Sequence, residues 1–306
     1  MAFTSKDVMA LREKTGVGMM DCKKALQESD GDVEKAIDYL REKGLAKQAK
    51  KASRVAAEGM AYATVDYEKK VGVVVEVNSE TDFAAKSDKF IEFVQEIAAV
   101  IINENPADVD ALLACNLNGM TVADQLRDKV MVIGENLSIR RFVRYEGDCV
   151  AYVHGGGRIG VLVKFEADAA ASGSEALIEC GKDIAMQIAA LNAAYLDEAS
   201  VPAEVVEHEK EVQLALIKND PKNANKPEAV LEKMIIGKMR KYFEEICLVN
   251  QAFVKDSNLT VAQYVEQQAK VAGGSMALVA FVRFEKGEGI QKREDDFASE
   301  VASMVK

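Results

Sequence analysis

The chain has 306 residues, of which 49% are hydrophobic and 29% are charged. This balance is typical of a folded globular protein and excludes a disordered chain, and the length favours several domains over one core. The net charge of -11 argues against nucleic acid as a partner, because an acidic surface repels phosphates. No long apolar segment and no apolar leader is present, so we expect a cytoplasmic protein without membrane association.

Cysteine and histidine are too scarce and too scattered to suggest reactive chemistry. The five cysteines are odd in number and form no Cys-x-x-Cys pair, so we interpret them as reduced thiols. The two histidines, His154 and His208, lie far apart in sequence. Structural zinc sites and general-base catalysis both depend on these residue types. We therefore expect no metal, no cofactor and no catalytic residue.

The first segment, residues 1–45, follows a helical pattern with two interruptions. Thr4 or Ser5 can cap a first helix, and Asp32 can cap a third one that ends at Gly44. We predict a three-helix unit whose loop before the second helix offers a docking face, formed by Val17, Gly18, Met19 and Met20. In the alternative interpretation, the two methionines fill the core of the unit.

A short basic segment, residues 46–56, follows the helical unit. It carries four cations and no apolar stripe: Lys47, Lys50, Lys51 and Arg54. A run this short is more typical of a solvated helical link than of a binding site. We predict a linker here.

The remaining sequence contains an internal repeat. Glu58-Gly59 recurs as Glu146-Gly147, and the β-prone run Val71–Val75 recurs at the same offset as Ile159–Val163. Each copy has two β-prone runs around a polar turn, then a helix, then a further strand. We therefore predict an α+β fold with two duplicated subdomains and antiparallel sheets, over residues 57–145 and 146–287.

The second copy contains an insertion at about residues 203–246 with helical stripes of its own. The first stripe is Val205, Val212 and Leu216, and the second is Leu231, Ile235, Met239, Tyr242 and Ile246. Pro221 and Pro227 forbid one continuous helix. We predict a protruding helical hairpin, either a stabilising flap or an interaction arm. We predict a C-terminal module over residues 288–306, which contains Phe297.

One loop differs between the two copies. The first copy has Thr81-Asp82-Phe83-Ala84 between its second strand and its helix, whereas the matching stretch Lys164–Ala171 lacks the sequence Thr-Asp-Phe. Because duplicated scaffolds need similar cores, we interpret this loop as functional. Asp82 or Thr81 can cap a helical turn with Phe83 at its exposed start. The alternative is that Phe83 packs into its own subdomain.

The sequence resembles the elongation factor Ts family in two specific motifs, Leu11–Leu26 and Glu76–Lys86, and more generally along the rest of the chain. At Ala84 it departs from the family pattern, which more often has valine. The resemblance implies a ubiquitin-associated-like N-terminal unit, two related α+β subdomains and a protruding hairpin in the second.

The resemblance also implies a function, guanine-nucleotide exchange on elongation factor Tu in its GDP-bound and nucleotide-free forms. The resemblance implies that Phe83 inserts between helices of the GTPase and disturbs its Mg²⁺ and phosphate site. Thr81, Asp82, Phe83 and Ala84 would then dislocate Mg²⁺ in the partner. Further contacts would come from Val17, Gly18, Met19, Met20, Asn78, Ser79, Glu80 and Phe297. Such a factor is not an enzyme, and it would act either as one copy of each protein or as a homodimer in a two-plus-two complex.

Two other functions compete with this one. His154-Gly155-Gly156-Gly157 matches the oxyanion loop of some esterases, and Gly273–Ala277 is a poor version of their nucleophile elbow. That fold needs a histidine after its serine, and none follows His208. A ubiquitin-like-binding adaptor built on the first three helices would leave the duplicated core and the Thr-Asp-Phe loop without a purpose.

Overall fold

The computed structural model describes residues 3–223 and 226–291, so Phe297 and most of the predicted C-terminal module lie outside the described residues. The chain begins with the three predicted helices, α1 (Ser5–Thr15), α2 (Met19–Glu28) and α3 (Val33–Lys51). Gly16, at φ 68°, ends α1, and the Asp32 carboxylate accepts the N–H groups of Glu34 and Lys35 at the start of α3.

The first subdomain follows as an open three-stranded sheet with four helices. Its elements are β1 (Glu58–Asp66), β2 (Val71–Ser79), α4 (Asp82–Ala85), α5 (Asp88–Glu104), α6 (Val109–Ala114), β3 (Asn116–Leu117), β4 (Met120–Thr121), α7 (Val122–Ile133) and β5 (Ser138–Glu146). The sheet is antiparallel in the order β1-β2-β5. Helix α5 covers one face with a fully buried stripe that includes Phe90 and Ile97.

The second subdomain repeats this topology. Its elements are β6 (Asp148–His154), β7 (Ile159–Ala167), α8 (Glu175–Leu191), α9 (Ala203–Asn219), α10 (Glu228–Ile246), β8 (Ala252–Phe253), β9 (Asp256–Thr260), α11 (Val261–Ala272) and β10 (Met276–Glu285). The sheet is antiparallel in the order β6-β7-β10, so corresponding strands occupy corresponding positions. The predicted α+β class and antiparallel sheets are confirmed.

The duplication extends further than the sequence pattern indicates. Each copy also contains a two-stranded hairpin followed by a helix, β3–β4 with α7 and β8–β9 with α11. Thr121 and Thr260 cap these helices by accepting the N–H groups of Asp124 and Gln263. Both helices have the same length and end at a left-handed glycine, Gly134 and Gly273.

The two sheets pack face to face through a small apolar layer, formed by Ala61, Ala63, Val74, Cys149, Leu162 and Phe284. Glycines permit this close approach. A Cβ added at Gly72 would lie 2.6 Å from Leu162 Cδ1, and one added at Gly160 would lie 2.9 Å from the carbonyl oxygen of Ala61. The two subdomains therefore share one sheet interface with little tolerance for added volume.

Helix α3 continues past its predicted end at Gly44. A Cβ at Gly44 would lie 3.2 Å from Arg127 Cγ and 3.3 Å from Met131 Cγ, both on α7. The glycine therefore allows two helices to pack closely and does not end α3. Much of the predicted linker 46–56 is helical as a result.

The insertion forms the predicted helical hairpin of α9 and α10, with Pro221 and Pro227 between the helices. All five residues of the predicted α10 stripe are at least half-buried, and Met239 is fully buried. The predicted α9 stripe is wrong, because Val212 and Leu216 are exposed and the buried side chain is Ile217. Among the residues that the structure describes, every helix is too short or too polar to span a bilayer.

Candidate functional site

Phe83 projects from the single-turn helix α4, directly after β2. Its side chain is 82% exposed, the highest value among the large hydrophobic residues in the described part of the chain. Ala84 and Ala85 point inward and are buried, so the turn is anchored on its other side. The alternative that Phe83 packs into its own subdomain is wrong. An exposed aromatic ring on a fixed backbone loses little rotamer entropy when a partner binds it.

Thr81, rather than Asp82, caps the helical turn. Thr81 Oγ1 accepts the N–H of Ala84 at 3.2 Å, while the Asp82 carboxylate accepts from Lys86 Nζ at 2.6 Å. The hydrogen bond from Lys86 holds the pKa of Asp82 below its ordinary value. Both residues therefore stabilise the backbone from which Phe83 projects.

A second loop holds the Phe83 turn from the side. This loop, residues 134–137, joins α7 to β5. The Glu135 carboxylate accepts the Thr81 N–H at 2.9 Å and the Thr81 hydroxyl at 2.6 Å. In the opposite direction, Glu80 Oε1 accepts the N–H of Asn136 at 2.6 Å. The two loops are thus joined by hydrogen bonds in both directions.

The end of α3 and the chain that follows it reach the same place. Arg54 Nη1 lies 3.4 Å from Glu80 Oε1, and Asn136 Nδ2 donates to the carbonyl of Arg54 at 2.9 Å. Lys51 Nζ donates to the carbonyl of Gly134. The predicted linker therefore contacts the candidate site directly, whereas its sequence indicated a solvated connection.

Two of the residues predicted to contact a partner from β2 are buried. Asn78 Nδ2 donates to the carbonyl of Glu58 at 3.1 Å, and Ser79 Oγ donates to the carbonyl of Thr81 at 3.0 Å. Alternation along a strand would have left one face open, but β2 is central in its sheet and is covered on both faces. These side chains support the loop from beneath, while Glu80 is half-buried at its rim.

The predicted docking residues of the three-helix unit divide in the same way. Val17 is buried in the unit's core, whereas Gly18 is exposed and Met19 and Met20 are 39% and 75% exposed. The alternative that both methionines fill the core is wrong, because Cys22 and Leu26 occupy it. An exposed methionine pair is an adaptable apolar contact surface.

Helix α7 connects the three-helix unit to the loop that holds the Phe83 turn. Met131 and Val132 of this helix pack against the core of the unit, and the loop after Gly134 carries Glu135. Glu135 is not among the site residues predicted from the sequence. The available signal was its position next to the glycine that ends α7.

The second copy has no counterpart of Phe83. There, Asp168 Oδ2 accepts the N–H of Ser275 at 2.7 Å, and its Oδ1 accepts the N–H groups of Ala170 and Ala171. These hydrogen bonds hold the pKa of Asp168 below its ordinary value. The loop is closed on itself and presents no aromatic side chain.

The esterase interpretation fails on geometry. Ser275 Oγ donates to Asp168, and the hydroxyl of Tyr152 lies 3.0 Å from His154 Nδ1. His154 pairs with Ile159, the first residue of β7. Ser275 directly precedes Met276, which pairs with Ala167, the last residue of β7. At about 3.3 Å per residue, the strand separates Ser275 from His154 by roughly 26 Å. Over the described residues, no group of three or more His, Cys, Asp or Glu side chains could hold a metal ion.

Comparison with known proteins decides the family. A sequence model of the family Elongation factor TS matches residues 80–288, which include the Phe83 turn, the last strand of the first sheet, the whole second sheet and the hairpin. The elongation factor Ts of Clostridium perfringens (strain 13 / Type A) is 47% identical over 305 residues and covers 98% of each chain. This chain belongs to the elongation factor Ts family.

Other members of the elongation factor Ts family match over the same extent. The elongation factor Ts of Syntrophotalea carbinolica is 47% identical over 311 residues, with 100% of both chains covered. That of Clostridioides difficile (strain 630) is 47% identical over 306 residues, with 99% of both chains covered. These matches include the three-helix unit, and membership places the chain among the translation elongation factors of protein biosynthesis.

Proposed function

We propose that this chain is a guanine-nucleotide exchange factor for elongation factor Tu and acts in the cytoplasm. The observation that carries the proposal is the exposure of Phe83 on a turn held by Thr81, Glu80 and Glu135. The partner is a protein, since the net charge of -11 disfavours an RNA surface.

The physical role of Phe83 is that of a wedge. Its ring enters the nucleotide domain of the GTPase between two helices and displaces the elements that hold Mg²⁺ and the phosphates of GDP. Magnesium neutralises phosphate charge, so the loss of its geometry removes much of the affinity for GDP. No bond is made or broken, and the factor has no catalytic residue.

The three-helix unit supplies a second contact. Its exposed Met19 and Met20 give an apolar surface, and its packing on α7 connects that surface to the loop that holds Phe83. Two contacts joined by a packed helix bind the GTPase more tightly than the ring alone, because the second contact forms without a further loss of translational freedom.

Thermodynamic linkage explains the release of the factor. A factor that weakens GDP binding is itself bound more weakly by the GDP form than by the empty form, by the same ratio. When GTP occupies the empty site, the factor dissociates for the same reason. The chain therefore acts repeatedly on successive GTPase molecules.

The test is the release of a fluorescent GDP analogue from purified elongation factor Tu. The native chain should accelerate release in proportion to its concentration. The acceleration by Phe83→Ala at the same concentration should be at least about tenfold smaller, as expected of an interface hot spot. Because Phe83 is exposed, the unfolding temperature of Phe83→Ala should equal that of the native chain. An unchanged release rate with Phe83→Ala would remove the ring from the mechanism.

A further inference from the structure

The Phe83 turn is held by two carboxylates, of which one has an equivalent in the second copy of the fold and the other does not. Glu80 accepts a backbone N–H from Asn136, and Glu135 accepts both the N–H and the hydroxyl of Thr81. The internal repeat provides a built-in comparison, because the second copy contains the same two loops on the same scaffold.

The bond made by Glu80 is present in both copies. Aligning β2 with β7 places Asp168 at the position of Glu80, and aligning the left-handed glycines Gly134 and Gly273 places Ser275 at the position of Asn136. In both copies the carboxylate accepts the backbone N–H, at 2.6 Å and 2.7 Å respectively. This bond therefore belongs to the scaffold and is independent of Phe83.

The bonds made by Glu135 occur in the first copy alone. The residue equivalent to Glu135 is Gly274, and the residue equivalent to Thr81 is Ala169. A Cβ at Gly274 would lie 2.3 Å from Asp168 Oδ1, so the second copy has no room for a side chain there. The fold is complete without this pair, and the pair is found in the copy that exposes a phenylalanine.

We propose that Glu135 is a positioning residue for Phe83: its carboxylate fixes Thr81 and thereby the direction of the Phe83 ring. This inference rests on the exchange function proposed above. Glu135 does not touch the partner's nucleotide in this role and acts through Thr81.

The geometry explains how the position of Glu135 reaches the ring. The Thr81 hydroxyl donates its proton to Glu135 Oε1, while a lone pair of Thr81 Oγ1 accepts the N–H of Ala84. The Thr81 N–H is satisfied by Glu135 Oε2. Both ends of the residue before α4 are thus fixed, and Phe83 lies two residues further on. Helix α4 has four residues, too few to hold its own first turn without such a cap.

The experiment compares Glu135→Ala with a matched control, Glu96→Ala, in the full chain. Glu96 is also half-buried in the first subdomain, and its carboxylate accepts one hydrogen bond, from Asn118 Nδ2 at 3.0 Å. Glu135→Ala should reduce the rate of GDP release at saturating factor by about tenfold, the scale of losing hydrogen bonds to a charged group. Glu96→Ala should match the native rate. Glu135→Gln, which keeps one acceptor oxygen, should fall between.

A combination with Phe83→Ala separates positioning from general stability. If Glu135 acts through the ring, then Glu135→Ala should cause no further loss of exchange in the Phe83→Ala background. A loss that adds fully to that of Phe83→Ala would overturn the proposal, as would a Glu135→Ala variant that exchanges like Glu96→Ala.

A measurement without the GTPase keeps the inference separate from the proposed function. Amide hydrogen exchange at Thr81 and Ala84 should accelerate at least about tenfold in Glu135→Ala and not in Glu96→Ala. If the amides respond but the native chain does not accelerate GDP release from elongation factor Tu, the proposed exchange function is wrong, while the positioning of Thr81 by Glu135 is still supported. If the native chain accelerates GDP release in a way that depends on Phe83, but neither amide exchange nor the GDP-release rate responds to Glu135→Ala, then only the positioning role of Glu135 is wrong.

Discussion

The buried carboxylate of Glu76, in the centre of β2, accepts a hydrogen bond of 2.8 Å from the backbone N–H of Gly287, beyond the end of β10. Arg140 and Arg141 donate to the same carboxylate at 3.0 Å and 2.6 Å. Strand β2 leads to the Phe83 turn, and β10 is the last strand of the second sheet. Glu76 therefore joins the exposed ring's own strand to the last described segment of the second subdomain.

The charge of Glu76 makes the stability of the protein depend on pH. Burial alone would raise the pKa of Glu76, but hydrogen bonds from Gly287, Asn78 and the two arginines outweigh it and hold the pKa below its ordinary value. A carboxyl group with a lowered pKa stabilises the fold above its unfolded pKa of about 4.3. That contribution is lost as the pH falls through the lower, folded value.

Glu76→Gln should therefore lower the free energy of unfolding by about 3 kcal/mol at pH 7, because two half-buried arginines lose the buried carboxylate that both contact, and Arg141 keeps Glu288 alone. Urea unfolding between pH 7 and pH 3.5 checks the prediction. The native chain should lose stability below about pH 4.3, and the difference between the two proteins should shrink there. A difference that stays constant across this range would show that the Glu76 charge is not responsible.

Gly287 should tolerate no side chain. It has φ +71°, and an added Cβ would lie 2.0 Å from the carbonyl oxygen of Ala57. Gly287→Ala should cost about 3 kcal/mol, since both the backbone and the contact must shift. Gly289 is the matched control, at φ +73° with its nearest atom 4.0 Å away, and Gly289→Ala should cost about 1 kcal/mol. Equal costs in thermal unfolding would place the strain in the backbone and not in the contact.

Local patterns predict the elements of this fold well. The two interruptions of the first helical segment, the repeated hairpins and the prolines of the insertion all act through the backbone of neighbouring residues, and each is confirmed. The loop with Thr81 and Phe83 is also found from sequence, because the second copy provides a reference in which it is missing.

The errors arise where a distant segment decides the outcome. Gly44 has the appearance of a helix end, yet α7 packs against it and α3 continues. Asn78 and Ser79 are polar and adjacent to an exposed loop, but their strand is central and covered. Glu135 lies far along the chain from Thr81, and no local rule predicts their contact. Such contacts depend on tertiary packing, which a single sequence does not display.

The three-helix unit allows stability and partner binding to be tested separately. Val17 is buried and Met20 is 75% exposed, although they are three residues apart. Val17→Ala should lower the stability of the unit by about 1 to 2 kcal/mol, because it removes two buried methyl groups. Met20→Ala should leave the unfolding temperature unchanged and weaken binding to elongation factor Tu, measured by calorimetry. Unchanged affinity with Met20→Ala would remove this face from the interface.

The thiol of Cys149 should report on the packing of the two sheets. It is buried between them, and this burial raises its pKa to about 11, so the reactive thiolate is scarce at pH 8. Cys115 is half-buried outside this interface and serves as the internal control. In the native chain at pH 8, a maleimide should modify Cys115 first, and Cys149 should react at the rate of amide exchange in β6 and β7. Glu76→Gln, which weakens the link between the subdomains, should speed the labelling of Cys149 more than that of Cys115. If Cys149 reacts as fast as Cys115 in the native chain, the sheets do not stay packed in solution.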